Sequence, residues 1–133
     1  MAKSTGLGIT TLSIDDDAGT PRAIKNDFTN FDIATPYANQ DVTGVDKYAM
    51  ERLPLLADLN GTLNGVFNPA ANEGHAVFSG DLRVARTLTL VVLSQTLAPE
   101  VLFTDYKLTR ASGGEFTYQA PFVLSDGTVP TWS

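Results

Sequence analysis

Glu115-Phe116-Thr117-Tyr118-Gln119-Ala120-Pro121-Phe122-Val123-Leu124 alternates almost without a break. Phe116, Tyr118, Ala120, Phe122 and Leu124 share one side at a period of two, and Glu115, Thr117 and Gln119 share the other. A helix would scatter these residues around its axis; a half-buried strand keeps them sorted. Just upstream, Ala111-Ser112-Gly113-Gly114 reads as a turn, and Val101 to Arg110 reads as the partner strand. In that strand Leu102, Tyr106 and Leu108 are expected to face inward and Asp105, Lys107 and Thr109 outward. One wet and one dry face is what an antiparallel sheet covering a core requires.

The same period runs through the rest of the chain. Gly8 to Ile14 predicts a first strand, Asp15-Asp16-Asp17-Ala18-Gly19-Thr20-Pro21 a turn, and Arg22 to Lys25 a short returning strand. Phe28 to Thr35 sets Phe31 and Ile33 against Asn30 and Asp32. Ala57 to Phe67 sets Leu59, Leu63 and Phe67, with Gly61 and Gly65 between them, against Asp58, Asn60, Thr62 and Asn64. Its two Asn-Gly pairs are also hairpin signals, but the alternation runs through both and favours one strand. Pro69 to Gly80 predicts a helix capped by Asn68, with Ala70, Val77 and Phe78 inward. Arg86 to Ser94 predicts another strand, and Trp132, beside the chain's end, is expected to dock on the domain or on a neighbour. The fold class is therefore mainly β: an antiparallel β-sandwich or partly closed barrel of about seven strands, one domain over 1–133, with one flanking helix.

Between two of these strands lies Pro36 to Leu56, unusually long for a connection inside a small domain. It is not simply polar. Val42, Val45, Tyr48, Met50, Leu53, Leu55 and Leu56 are apolar, and an irregular segment cannot bury them all at home. Val45 to Arg52 is expected to make a helical turn or two. That much apolar surface points to burial against another molecule.

Several chemistries are excluded or weakened. The 133 residues contain no cysteine, which removes disulfides, thiolate metal sites and a cysteine nucleophile. The net charge of -6 argues against gripping nucleic acid, which needs clustered Lys and Arg. Met1 to Ile9 has no apolar core, so no secretory signal is expected, and no run approaches a membrane span. His75 is the sole histidine and reads as structural, since a zinc site needs three or four converging ligands. Asp15-Asp16-Asp17 lacks the spacing of a calcium loop and reads as a solvated turn. Asn60-Gly61-Thr62 matches a glycosylation sequon, taken as accidental. No phosphate loop, nucleophile elbow or zinc-protease motif occurs, so neither catalytic residues nor cofactors nor metals are expected.

Gln40-Asp41-Val42-Thr43-Gly44-Val45-Asp46-Lys47, followed by Ala49-Met50-Glu51-Arg52-Leu53, resembles a loop of the major tail (tail tube) proteins of long-tailed bacteriophages, closest to those of actinobacterial phages. Thr62-Leu63-Asn64-Gly65-Val66-Phe67 and Glu100-Val101-Leu102-Phe103-Thr104-Asp105-Tyr106 are similar to that family too. So are Arg110-Ala111, Gly113-Gly114-Glu115 and Pro130-Thr131-Trp132, and the likeness extends from about Ile14 onward. The resemblance implies a structural virion protein that forms hexameric rings, stacked into a hollow tube through which DNA passes without specific binding. It implies a strand-lined bore and an inter-ring loop, here residues 36–54, with Tyr37, Val42, Val45, Tyr48, Met50 and Leu53 at the subunit contact. Candidates for the lining are Asp58, Asn60, Thr62, Asn64, Asp105, Lys107, Glu115, Thr117 and Gln119. An acidic wall is expected, with Lys107 neutralised by Glu115.

Tail terminator, distal tail and tape-measure proteins are the implied partners besides other copies of the chain. The virion tail is the implied location, after synthesis and assembly in the host cytoplasm. Two other readings share the virion: a head–tail connector or terminator ring, and the inner tube of a contractile injection device. From other classes come a carbohydrate-binding β-sandwich, weakened because most aromatics fall on dry faces, and a hydrolase on a β scaffold, weakened by the missing catalytic groups.

Overall fold

Alternation of the kind just described becomes eleven strands in the computed structural model, which describes residues 5–133. Met1 to Ser4, part of the stretch in which no secretory signal is expected, lie outside them. The strands are β1 (Thr11–Asp15), β2 (Pro21–Ala23), β3 (Phe28–Ala34), β4 (Tyr37–Asp41), β5 (Arg52–Ala57), β6 (Asn60–Val66), β7 (Arg86–Val92), β8 (Gln95–Leu97), β9 (Glu100–Phe103), β10 (Lys107–Arg110) and β11 (Phe116–Leu124). A 3-10 turn covers Lys25–Asp27, and one short helix, α1, covers Gly74–Phe78. Nine strands form one antiparallel sheet in the order β2-β1-β7-β9-β11-β6-β3, with β8 on β7 and β10 on β11. No barrel closes. β4 and β5 pair only with each other.

Leu12, Ile14, Leu59, Leu63, Leu88, Leu90, Val101, Phe103, Tyr118, Ala120 and Phe122 turn one face of the sheet into the core, and Val77 and Phe78 of α1 cover it. Phe78 meets Phe103 edge-on at 5.1 Å and stacks on Tyr106 at 5.4 Å. Gly61 and Gly65 sit on the core face of β6, as expected of that strand. A Cβ on Gly61 would lie 2.7 Å from the Phe122 ring, and one on Gly65 2.8 Å from the Tyr118 ring. The two aromatic side chains of β11 occupy the space that the two glycines leave.

The structure corrects four expectations. The strand expected over Val101 to Arg110 is two strands, broken at Thr104–Tyr106, where the Thr104 amide donates to the Pro121 carbonyl. The break changes the parity. Val101 and Phe103 are buried, while Leu102 is half-buried and Leu108 exposed. Second, a hairpin joins β7 to β8 through Leu93 and Ser94, at φ 47° and 68°. Such a turn normally carries Asn or Gly, so nothing in the sequence marks it.

Third, the helix is far shorter than Pro69 to Gly80. Asn72 takes a left-handed φ of 64°, which stops a helix from running through, and Ala70 is exposed. What holds α1 comes from outside it, from the 3-10 turn, the preceding loop and β7. At its start the Gly74 amide donates to the Asp27 carboxylate at 2.8 Å, and Asn68 donates to the same group. At its end the Arg86 guanidinium donates to the carbonyls of Val77 at 2.6 Å and Asp81 at 2.9 Å. Fourth, the first strand starts at Thr11 rather than Gly8.

Trp132 does dock at the sheet, through its backbone. It bridges to Leu97, and Ser133 exchanges two hydrogen bonds with Thr96, while the indole stays half exposed.

Candidate functional site: an exposed arm and a polar sheet face

Residues 36–56 are ordered by their own backbone. β4 pairs antiparallel with β5, matching Gln40 to Leu53 and Asp41 to Arg52, with an irregularity between Tyr37 and Asn39. No helix forms between Val45 and Arg52. The expected irregular loop is a two-stranded arm whose strands reach Ala57 and include Pro54. Its tip closes around Thr43. The Thr43 hydroxyl donates to the Asp41 carboxylate at 2.6 Å and accepts from the Glu51 amide at 2.8 Å, and the Val42 amide reaches the Glu51 carbonyl. The Thr43 hydroxyl and then the Thr43 amide hold the Asp41 carboxyl below its usual range.

Every residue from Ala34 to Leu56 is exposed except Val42 and Thr43, which are half-buried. Val45 and Tyr48 are fully exposed, and Tyr37, Met50 and Leu53 are more than half exposed. Leu55 and Leu56 extend the apolar surface to the arm's root. A lone two-stranded ribbon is marginal in water. This one also displays seven large apolar side chains with no cover from its own body.

The second feature is the outer face of β10-β11-β6-β3. Register sets Asn30 opposite Asn64, Asn64 opposite Gln119, and Gln119 opposite Lys107, a polar row across four strands. The Asn64 amide donates to the Asn30 side chain at 2.7 Å. Thr62 pairs with Asp32, whose carboxylate accepts the Thr62 amide at 3.0 Å, and Thr117 pairs with Thr109. Of the lining candidates, Asn60, Thr62, Asn64, Lys107, Thr117 and Gln119 therefore come together on this one face. Asn30, Asp32 and Thr109 belong with them; the wet sides of their strands had marked them.

Asp58, Asp105 and Glu115 lie outside the strands, at the ends of β5, β9 and β11. The pairing of Lys107 with Glu115 does not occur. Gln119 stands opposite Lys107, and Glu115 bonds through its carbonyl to Ala111. With Asp32 and Lys107 as its charged groups, the face is hydroxyl and amide rather than acidic.

Two further titratable clusters have structural partners. His75 Nδ1 lies 3.2 Å from the Tyr106 hydroxyl, and its ring packs on Phe67. Asp16 caps its own turn and pairs with Arg22 at 3.2 Å, so the aspartate run is not merely solvated. Among the described residues no group of three or more His, Cys, Asp or Glu is placed to hold a metal ion. Among the described residues no helix is long and apolar enough to cross a membrane.

Tyr118 is buried and its hydroxyl has no partner. Burial first, and the Asp27 charge second, push its phenol well above the ordinary value of 10.0. The unfolded chain releases this proton near pH 10 while the folded chain holds it, so stability falls as pH rises above that value. We expect Tyr118→Phe to be neutral or to stabilise by up to about 1 kcal/mol, since it deletes an unsatisfied polar group. It should also flatten the loss of stability between pH 10 and 11, as followed by thermal melts. A variant less stable by 2 kcal/mol or more would contradict the unsatisfied hydroxyl.

No protein-family profile and no curated protein matches the chain. Solved structures do. A chain from the virion of a native gene transfer agent (GTA) particle aligns over 99% of both chains at 15% identity, with a TM-score of 0.69. A chain from the tail of an empty GTA particle, determined with C6 symmetry, aligns over 98% of both at 16% identity and a TM-score of 0.68. At such identities the likeness is one of fold, and it runs the whole length of the chain.

Proposed function

We propose that this chain is a structural subunit of a phage-like tail tube, assembling as six-membered rings that stack into a hollow tube. The observation that carries the reading is the arm: seven large apolar side chains on a ribbon that its own body leaves uncovered. The full-length likeness to a chain from a C6-symmetric tail supports it. A subunit that closes rings by rotation and leaves open ends for stacking needs two kinds of contact, both heterologous.

The sheet supplies the first. β3 and β10 each have a hydrogen-bonded neighbour on one side only. Exposed edges invite uncontrolled pairing unless something covers them. Joining β3 of one copy to β10 of the next would satisfy both and bring the polar faces of all copies to one side, around the bore. The arm supplies the second contact, to the adjacent ring. A bore lined by Asn, Gln and Thr would offer phosphates few cations to hold, consistent with passage of DNA rather than its capture.

The purified chain, concentrated and viewed by negative-stain electron microscopy, should form hollow filaments. A single 14.2 kDa species at every concentration in light scattering would overturn the reading.

A further inference from the structure

A groove of about 480 Å³ opens beside the first half of β3. Ile9, Leu12, Phe28 and Phe31 give it an apolar floor, and Lys25 and Thr29 add polar groups. Phe28, Phe31 and Ile9 are only half-buried. The Lys25 ammonium donates to the Thr10 carbonyl and meets no carboxylate within ion-pair distance among the described residues.

We propose that this groove receives the arm tip of a second copy of the chain, with Val45 and Tyr48 entering between Ile9, Phe28 and Phe31. This rests on the tube reading above and names the receiving surface for the arm. Three observations select the occupant. The groove lies at the start of β3, while the arm leaves the body after Ala34, at the end of the same strand. Six steps of about 3.3 Å separate Phe28 from Ala34, and the arm is exposed and contributes no residue to the groove lining, so a copy's own tip does not occupy its own groove.

A donor at one end and an acceptor at the other makes a head-to-tail contact that repeats without closing, as a stack requires. The charges also match. The tip carries three acids, Asp41, Asp46 and Glu51, against two bases, with Lys47 3.6 Å from Asp46 and Arg52 opposite Asp41, which leaves one acidic charge in excess. The acidic side of the tip therefore meets Lys25.

The absence of native cysteine makes a direct test clean. Ala49→Cys, next to Tyr48 at the exposed tip, combined with Thr29→Cys, assembled and treated with a short bismaleimide, should give a ladder of covalent multimers on a denaturing gel. Each single variant should remain monomeric on the gel. Ala49→Cys with Leu93→Cys, at the exposed β7–β8 turn, serves as the control pair. Lys25→Glu should raise the assembly threshold by about 2- to 5-fold, and Asp46→Lys in the same chain should restore it.

Tubes that give no ladder with the Thr29 pair, or a ladder only with the Leu93 pair, would overturn the docking site and leave the tube reading standing. Failure of the unmodified chain to form tubes would overturn the tube reading and this inference together.

Discussion

Tyr48→Asp should leave the monomer folded and prevent its assembly. The Tyr48 side chain is fully exposed at the arm tip and touches nothing in the core. A substitution at such a site normally changes stability by less than about 0.5 kcal/mol, so circular dichroism and the melting temperature should be unchanged. The assembled state is different. A tyrosine that becomes buried at an interface is a common hot spot, worth about 2 to 4 kcal/mol. Each subunit presents one arm, so the loss recurs at every contact. Even the lower figure weakens each contact about 30-fold, and the new carboxylate would have to lose its hydration in an apolar groove. Negative-stain microscopy and pelleting at the wild-type assembly threshold are the measurements. Tubes at wild-type abundance would show that the tip is not an interface.

The second large effect is one of folding. Arg86→Ala should destabilise the domain by about 3 to 5 kcal/mol. Arg86 is fully buried, and its guanidinium holds the carbonyls of Val77 and Asp81, with a longer contact to Asp15. Burial pulls its pKa down, while Asp17, Asp16, Asp81 and Asp15 oppose that shift. Alanine would leave the carbonyls at the end of α1 without donors, a void under the helix, and an aspartate cluster without its central cation. At about 3 to 5 °C per kcal/mol for a chain of this length, the melting temperature should drop by about 9 to 25 °C. Arg86→Lys should recover only part of that, since an ammonium cannot span the carbonyls that the planar fork reaches. A loss below 1 kcal/mol would mean that the buried cation is dispensable.

The two effects separate what the sequence made legible from what it hid. Strand alternation was readable wherever both faces had distinct neighbours. β11 and β6 came through with their faces correctly sorted, because Tyr118, Ala120, Phe122 and Leu63 are buried and Thr117, Gln119 and Asn60 are wet. Alternation failed where a tertiary contact interrupts the chain. Nothing local predicts that Thr104–Tyr106 should break a strand so that Tyr106 can stack on Phe78.

The short helix was misread for a similar reason. Its stops and caps are supplied by Asp27 and Arg86, 47 and 9 residues away from the groups they bind. Asn72 could have been read as a left-handed stop, but Asn is also tolerated in a helix. Arg86 could not be singled out, because a single arginine opening a strand is usually solvated.

For the candidate site, the apolar content of the arm was plain in the sequence and its ribbon form was not. Pro54 in the run Arg52–Ala57 argues against a strand. It is accommodated here because each strand of the arm has one partner and a free outer edge. The polar row was visible strand by strand, but only the register joins Asn30, Asn64, Gln119 and Lys107. Register also removed the supposed partner of Lys107.

Where the arm goes in the assembled state is the central question, and a helical cryo-electron microscopy map of the filaments answers it most directly. Residues 37–56 should lie against a subunit of the next ring, with Tyr48 enclosed by that neighbour's side chains. A map in which this ribbon folds onto its own subunit, or stands in solvent while the rings stack without it, would contradict the account.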